Sequence, residues 1–184
     1  MRDVGRRSAA FLDRDGTINL KAPEGDYITA PEQVRLLPRA AAAIRQLNDL
    51  GALVVVVTNQ RGISLGRMTA DDLNDVHERL SAMLAAQAGA HVDAFFFCPH
   101  DHGQCDCRKP RPGLLRDAVR AFPEIDVDAS VAIGDAPSDV AAAERFGVRS
   151  LQLGRDAGDL AGAVEHALRT GMIATTERAT CGGA

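Results

Sequence analysis

The apolar and polar positions of the chain alternate between two kinds of segment. Short β-branched or apolar runs, such as LVVVV at 53–57, are separated by longer segments rich in Ala and Leu. This alternation is typical of parallel strands joined by crossover helices, and continuous apolar runs suit strands buried on both faces. We therefore predict an α/β fold with a central parallel sheet. The predicted strands are 9–12, 53–58, 92–97, 131–134 and 150–153, and the predicted helices are 39–50, 70–87, 112–121, 138–146 and 159–169.

Two segments do not follow the alternation. Residues 19–37, which contain three Pro and Gly breakers, are predicted to form a long loop, and residues 99–111 crowd Cys, His, Gly and Pro together. Long loops in a compact domain are often functional. The 184 residues with 46% hydrophobic content predict one packed domain over 1–174, followed by a mobile tail at 175–184.

Charge and composition narrow the function classes. With 21 basic and 25 acidic residues and a net charge of -4, no overall field attracts nucleic acid or an anionic membrane. The chain has no Trp, so a base-stacking surface is not expected. No apolar run approaches the roughly 20 residues that cross a bilayer, and the first apolar stretch is too short for an export signal. We therefore expect a cytoplasmic, monomeric protein that acts on small molecules.

The first chemical signal is a pair of carboxylates directly after the first strand. Asp13 and Asp15 in FLDRDGT lie two positions apart, which places both on one side of an extended backbone. Their repulsion is relieved by a hard divalent cation such as Mg²⁺, which proteins commonly hold with carboxylates and substrate phosphate. Asp and Gly are also ordinary turn residues, so the pair alone is weak evidence.

More polar residues follow later strands, at the sheet edge where parallel folds bind ligands. A hydroxyl and two amide side chains end or follow the second strand, two cations precede a proline, and a carboxylate ends the fourth strand. Each has an ordinary explanation as a cap or a solvated charge, but together they predict a site for phosphate and metal. The residues are Thr58, Asn59, Gln60, Arg108, Lys109 and Asp135.

The segment CPHDHGQCDC has the spacing of a metal site. Cys98 and His100 form one pair two positions apart, and Cys105 and Cys107 form another. Two short extended segments of this kind can hold one tetrahedral ion, and three thiolates with one imidazole favour Zn²⁺. Four protein ligands leave no open position for water, so we predict a structural role.

This zinc loop, residues 98–107, ends directly before Arg108 and Lys109. Zinc would therefore stiffen the segment that delivers Lys109 to the site. Two alternatives remain at this point: the cysteines are reduced and hold no metal, or His102 replaces His100 as the fourth ligand.

The order DRDGT, TNQ, RKP and GDAPSD resembles the haloacid dehalogenase superfamily of phosphatases. The resemblance implies a three-layer Rossmann-like fold, and the short segments between the motifs leave no room for a large cap domain. It implies that Asp13 attacks phosphorus to form an aspartyl phosphate, and that Asp15 acts as general acid and then as general base. It also implies that Thr58 and Lys109 hold the phosphoryl oxygens, and that Mg²⁺ is bound by Asp13, Asp15 through its backbone carbonyl, and Asp135.

Within the superfamily, the zinc loop is similar to that of the zinc-containing heptose-1,7-bisphosphate 7-phosphatases and the related histidinol-phosphate phosphatases. The DRDGTIN start and the later GDYI resemble the heptose group more closely. This likeness implies substrate contacts at Asn19, Asp26 and Tyr27, and makes Arg108 the reader of a second anionic group. We also predict that Asn59 and Gln60 contact the substrate. Tyr27 has an alternative role as a packing residue.

Two features depart from the heptose group: Ala136 stands where Lys is common, and the loop after Asn19 reads KAPEGD rather than a shorter acidic turn. We expect a Mg²⁺-dependent phosphatase of a small phosphorylated metabolite, a heptose bisphosphate that loses its 7-phosphate, with histidinol phosphate as the alternative substrate. Two other classes of protein are alternatives. One is a phospho-accepting receiver module, which is disfavoured because the carboxylate pair follows the first strand. The other is a zinc-based binding module for nucleic acid or protein.

Overall fold

The computed structural model describes residues 5–174 of the chain, so the predicted tail at 175–184 lies outside the described residues. The described residues contain a five-stranded, all-parallel sheet, in which the third strand of the chain lies at one edge and is followed by the second, first, fourth and fifth strands. The predicted α/β fold is confirmed. The strands are β1 (Ala9–Leu12), β2 (Leu53–Asn59), β3 (Ala94–Cys98), β4 (Val131–Gly134) and β5 (Arg149–Gln152). The α-helices are α1 (Ala40–Asp49), α2 (Ala70–Ala88), α3 (Gly113–Ala121), α4 (Pro137–Phe146) and α5 (Leu160–Arg169).

The sheet is the middle of three layers. Alternate residues of a strand face opposite sides, so Leu12 and Val56 join the core beneath α1, α2 and α5, whereas Phe11 and Val55 join the core beneath α3 and α4. All four of these side chains are fully buried. Burial on both faces explains why the central strands read as continuous apolar runs.

Strand β3 begins two residues later than predicted because of Asp93. Its backbone N–H donates to Val54 O at 2.8 Å, and its carboxylate accepts the Val54 N–H at 2.7 Å. The side chain therefore replaces a ladder partner at the entrance of the strand. At the other end, β3 continues through Cys98, which pairs with Asn59 of β2.

The predicted loop at 19–37 is mostly irregular. It contains a short 3₁₀ helix (Pro31–Gln33), and Asn19 forms an isolated bridge with Leu36 that closes the loop against the sheet. Within the described chain no insertion has the size of a cap domain, as predicted. None of the helices in residues 5–174 has both the length and the apolar character needed to cross a lipid bilayer.

Candidate active site

The strand order brings separate motifs to one edge of the sheet. β1 lies between β2 and β4, so the residues that follow these strands meet at their carboxyl ends. A cavity of about 190 Å³ opens there. It is lined by Asp13, Asp15, Lys21, Thr58, Asn59, Lys109, Asp135, Ala136, Ser138 and Asp139.

Lys109 lies at the floor of this edge, with its side chain 5% exposed. Its ammonium lies 2.8 Å from Asp13 Oδ1 and 2.6 Å from Asp139 Oδ1, and it donates to Val57 O at 2.7 Å. These contacts use all three hydrogens of the ammonium. Burial alone would lower the pKa of Lys109, but the two carboxylates outweigh it and raise that pKa. A fixed positive charge therefore lies beside Asp13.

Asp13 follows β1 and has its carboxylate 12% exposed. Burial raises the pKa of Asp13 to about 6; the Lys109 charge opposes this shift, and the negative charge of Asp139 adds to it. A buried carboxylate beside a lysine and at an open cavity has the setting of a nucleophile, because the lysine orients it and stabilises its anionic form.

Three carboxylates form a cluster that fits a divalent cation. Oxygens of Asp13, Asp135 and Asp139 all lie within 4.8 Å of one another. Asp135 Oδ1 is buried and has no hydrogen-bond partner among the described residues, while Oδ2 contacts the Lys21 ammonium. An acidic cluster with an unpaired buried oxygen suits a hard cation with oxygen ligands. Lys21 supplies a positive charge to the same cluster.

Asp139 was not predicted as a site residue. It lies in the first turn of α4, is 8% exposed and accepts the Ala136 N–H at 2.9 Å while pairing with Lys109. Its position four residues after Asp135 was visible in GDAPSD. An acidic residue at the start of a helix also has an ordinary explanation in the helix dipole. Its contact with Lys109 arises only in the folded chain.

Asp15 is held by four hydrogen bonds. Arg14 donates to both carboxylate oxygens, at 3.1 and 2.7 Å; Asn19 donates to Oδ1 at 2.9 Å, and Gln60 donates to Oδ2 at 3.0 Å. Burial would raise the pKa of Asp15, but the Arg14 charge and these hydrogen bonds lower it. The carboxylate is therefore ionised and ready to accept a proton.

The predicted substrate residues Asn19, Asn59 and Gln60 make contacts within the protein. Asn19 and Gln60 are each 1% exposed and hold Asp15, and the Gln60 amide also donates to Thr58 Oγ1 at 2.9 Å. Asn59 donates to the carbonyl of Lys109 at 3.1 Å and accepts its backbone N–H at 3.0 Å. Through these hydrogen bonds, the three side chains position Asp15, Thr58 and Lys109.

A buried pair beneath the site was also not predicted. Arg14, which is 0% exposed, points to the face opposite Asp13, where its Nη1 lies 3.3 Å from Nε2 of His77 on α2. Burial and the Arg14 charge lower the pKa of His77 to about 3. His77 is therefore neutral and accepts a hydrogen bond from Arg14, which fixes the guanidinium that holds Asp15. The helical position of His77 carries no sequence signal for this contact.

The predicted substrate contacts in the 19–37 loop line a second cavity of about 590 Å³. Asp26 is exposed and Tyr27 is half-buried there. Lys21 lines both this cavity and the one around Asp13, so it lies between them. Arg108 does not line either cavity; it lines a third, of about 160 Å³, beside the zinc loop, and its buried Nη1 lacks a hydrogen-bond partner in residues 5–174.

The structure brings the four predicted zinc ligands together. The sulfurs of Cys98, Cys105 and Cys107 are 3.1 to 3.4 Å apart, and His100 Nδ1 lies 3.6 Å from the first and 3.3 Å from the last. A tetrahedral zinc with Zn–S bonds of about 2.3 Å needs sulfurs roughly 3.7 Å apart, so a small expansion of the cluster admits the ion. His100, not His102, is the fourth member of the cluster.

The electrostatics of the thiols also fit a cation. Burial raises the pKa of Cys98, and burial together with the other two sulfurs raises that of Cys107. Burial also acts to raise the pKa of Cys105, but hydrogen bonds from Cys107 and the Arg108 N–H outweigh it and lower that pKa to about 7. Three thiols this close cannot all ionise without a positive ion among them, so the cluster is suited to a metal cation.

Comparison with known proteins identifies relatives of this arrangement. A family model described as haloacid dehalogenase-like hydrolase matches residues 5–147. A D-glycero-alpha-D-manno-heptose-1,7-bisphosphate 7-phosphatase from Mycobacterium bovis is 42% identical over 138 residues, covering 74% of this chain and 72% of that protein. The D-glycero-beta-D-manno-heptose-1,7-bisphosphate 7-phosphatase from Rhodopseudomonas palustris is 41% identical over 151 residues, covering 78% and 81%.

A solved structure is also similar. The D,D-heptose 1,7-bisphosphate phosphatase from B. bronchiseptica, complexed with magnesium and phosphate, aligns with a TM-score of 0.79 and 31% sequence identity. The alignment covers 89% of this chain and 99% of that one. The predicted three-layer fold without a large cap is the fold of that enzyme.

Proposed function

The chain belongs to the haloacid dehalogenase-like hydrolases, and we propose that it removes the 7-phosphate from D-glycero-D-manno-heptose 1,7-bisphosphate. The observation that carries this proposal is the buried Lys109 ammonium, 2.8 Å from Asp13 Oδ1, at the edge of a cavity that Asp15, Thr58 and Asp135 also line. Relatives that share 35–42% identity over most of the chain are heptose-1,7-bisphosphate 7-phosphatases.

In the proposed first step, Asp13 attacks phosphorus. An Oδ–P bond forms, the P–O bond to the sugar breaks, and Asp15 donates a proton to the leaving oxygen. Asp15 is ionised in the free protein, but a phosphate dianion beside it favours its protonated form because like charges repel. Lys109 and the Thr58 hydroxyl stabilise the negative charge on the phosphoryl oxygens.

In the second step, water attacks the aspartyl phosphate on Asp13. Asp15 now accepts the proton of that water, which releases inorganic phosphate and regenerates the Asp13 carboxylate. Arg14, Asn19 and Gln60 favour this step because their hydrogen bonds stabilise the ionised form of Asp15. The same hydrogen bonds position the carboxylate for both proton transfers.

Two metals are part of the proposal. Mg²⁺ would be held by Asp13, Asp135 and the backbone carbonyl of Asp15, and it would neutralise charge on the transferred phosphoryl group. The cluster of Asp13 and Asp135 oxygens supports this assignment. Zn²⁺ would be held by the Cys98, His100, Cys105 and Cys107 cluster in a structural role.

The charge of the 590 Å³ cavity favours a bisphosphate over histidinol phosphate. Lys21, Arg35 and Arg67 line it, and Asp26 is the single carboxylate in its lining. A second phosphate dianion is attracted by such a wall, whereas the ammonium of histidinol phosphate is repelled. We propose that Asp26 and Tyr27 contact the sugar. The assignment of Arg108 as a contact of a second anionic group is supported by its buried Nη1, which has no hydrogen-bond partner in residues 5–174, although Arg108 lines a separate cavity.

A substrate panel tests the proposal. Phosphate release should be compared for both anomers of heptose 1,7-bisphosphate, histidinol phosphate and p-nitrophenyl phosphate, and ³¹P NMR should identify which heptose phosphate is lost. We expect the highest kcat/KM with a heptose bisphosphate, loss of the 7-phosphate, and no turnover by Asp13→Asn. A preference for histidinol phosphate, or release of the 1-phosphate, would reject the proposed substrate.

The remaining expectations are part of the same proposal. The shared sheet supports a single catalytic domain over 1–174, and the substrate class of small phosphorylated metabolites requires no nucleic acid, membrane or second protein. We propose a cytoplasmic location, because cysteines that hold a metal and form no disulfide, as Cys98, Cys105 and Cys107 do in this proposal, are typical of a reducing compartment. We propose a monomer, which sedimentation analysis would test.

A further inference from the structure

The turn after β2 links the zinc loop to the cavity lined by Tyr27. Its backbone is joined to the start of the zinc loop: Gln60 N donates to Cys98 O at 2.8 Å, and Ser64 N donates to Pro99 O at 3.1 Å. Arg61 lies between these two contacts. The turn and the zinc loop are therefore one connected unit at the backbone level.

Arg61 also reaches across to the zinc loop with its side chain. Its Nη2 donates to Asp101 Oδ2 at 3.2 Å, and its Nε lies 2.6 Å from Asp101 Oδ1. The two side chains are 34% and 30% exposed. Asp101 is itself fixed, because its Oδ1 accepts the His102 N–H at 2.6 Å and its own N–H donates to Gln104 Oε1 at 3.2 Å. The zinc loop thus holds the guanidinium in one orientation.

Tyr27 packs against the same turn. A Cβ placed on Gly62 would lie 2.9 Å from Tyr27 Cγ and 3.1 Å from Cδ1, so the ring rests directly on the glycine backbone. Gly62 directly follows Arg61, so the residue that contacts the Tyr27 ring and the residue that pairs with Asp101 are neighbours in the same turn. Tyr27 is also part of the wall of the 590 Å³ cavity.

We propose that Asp101 and Arg61 are positioning residues that hold Tyr27 in place and so set the shape of the cavity that receives the substrate remote from the reacting phosphate. The inference rests on the proposed function for the identity of that substrate. Neither residue lines the cavity around Asp13, so both act on binding of the remote part and not on the chemical step. The zinc loop then has a second task besides delivering Lys109: it fixes one wall of the substrate cavity.

The aromatic composition of the chain allows Tyr27 to be followed by fluorescence. Tyr27 is the single tyrosine, and there is no tryptophan. Tyrosine fluorescence therefore reports on this ring alone, and its quenching by acrylamide measures how accessible the ring is. The variants are Arg61→Gln and Asp101→Asn. The matched control is Asp106→Asn, which removes an exposed carboxylate from the same loop, where it pairs with Arg111 at 2.9 Å.

We expect acrylamide to quench Tyr27 fluorescence more strongly in Arg61→Gln and in Asp101→Asn than in the unaltered protein. In the Asp106→Asn control, the quenching should equal that of the unaltered protein. For the heptose bisphosphate, KM should rise about fivefold or more, the size expected of one partly exposed charge-assisted link, with kcat nearly unchanged. Kinetics with p-nitrophenyl phosphate, which is too small to need the remote cavity, should stay as in the unaltered protein. The double variant should be no worse than the more affected single variant, because both residues act through one link.

Zinc content and circular dichroism identify a variant that has lost its loop or its fold. If Asp101→Asn loses zinc, Arg61→Gln, which lies outside the loop, still tests the link. Quenching and KM equal to those of the Asp106 control in Arg61→Gln would overturn the inference. If quenching is altered in Arg61→Gln but the unaltered protein does not turn over heptose bisphosphate, the positioning of Tyr27 by Arg61 and Asp101 stands and the proposed substrate is wrong.

Discussion

Replacement of Asp139 by Asn tests the buried charge network directly. Lys109 loses the charge of its nearest carboxylate, 2.6 Å away, but keeps Asp13 and the Val57 carbonyl. Breaking a buried ion pair typically costs about 3–5 kcal/mol, and charge-assisted hydrogen bonds contribute about 1.5–3 kcal/mol. Asn retains an acceptor, and relief of the repulsion between Asp139 and Asp13 offsets part of the loss. We therefore expect the free energy of unfolding to fall by about 2 kcal/mol.

The assay is thermal and urea unfolding of zinc-loaded protein in magnesium-free buffer without a chelator. For a domain of this size, a loss of about 2 kcal/mol lowers Tm by roughly 4–8 °C. Asp139→Ala should lose about 1–2 kcal/mol more, because Asn still offers one acceptor oxygen to Lys109 or to the Ala136 N–H, and Ala offers none. The control is Asp117→Asn, since the exposed pair that Asp117 forms with Arg120 should contribute little. An Asn variant as stable as the Asp117 control would refute the reasoning.

Two further predictions concern pH and zinc. Because the pKa of His77 is about 3 in the folded protein, the unfolded chain binds this proton first as the pH falls, so stability is lost from about pH 6.5 down to about 3. His77→Gln should reduce this acid-induced loss, and the exposed His91→Gln should not; equal pH profiles would contradict the prediction. Cys107→Ser should release zinc on dialysis and lower kcat, because Lys109 follows only two residues later. The control Asp106→Asn should retain one zinc by elemental analysis. Retention of zinc by Cys107→Ser would rule out the four-ligand site.

Local spacing explains why most of the fold, and the two side-chain clusters that could hold a metal ion, were predictable. Asp13 and Asp15 directly follow a fully buried strand, and the Cys98 to Cys107 ligands lie within one short segment, so few alternative placements exist. Apolar runs of limited length, separated by amphipathic segments, restrict the chain to an α/β layer structure. The parallel strand order then places the remaining motifs at the same edge of the sheet, and no additional sequence pattern is needed to predict this placement.

The contacts between distant residues were not predictable. Arg14 lies between two carboxylates in the sequence, yet its side chain crosses to the other face of the sheet and meets His77 on α2. Asn59 lines the cavity around Asp13, and its amide also pairs with the backbone of Lys109, 50 residues later, which its sequence neighbours do not indicate. Such pairings depend on strand register and helix rotation, which propensity and spacing do not determine.

Lys21 illustrates how the structure adds meaning to a departure noted in the sequence. The heptose group commonly has Lys at the position of Ala136, and its absence predicted a missing cation beside the metal carboxylate. In the folded chain, the ammonium of Lys21, the first residue of the KAPEGD segment, contacts the Asp135 carboxylate. Ala136 and the KAPEGD segment, which look unrelated in the sequence, therefore both lie next to the Asp135 carboxylate.

If Asp13 is the nucleophile, a phosphoryl group must be bound covalently to its carboxylate during turnover, and this intermediate can be trapped. Protein mixed with heptose 1,7-bisphosphate and magnesium should be quenched in acid within the first turnover, and its peptides examined by mass spectrometry. We expect a phosphoryl group on Asp13 in the unaltered protein and none in Asp13→Asn. A phosphoryl group on another residue, or turnover by Asp13→Asn at a substantial rate, would contradict it.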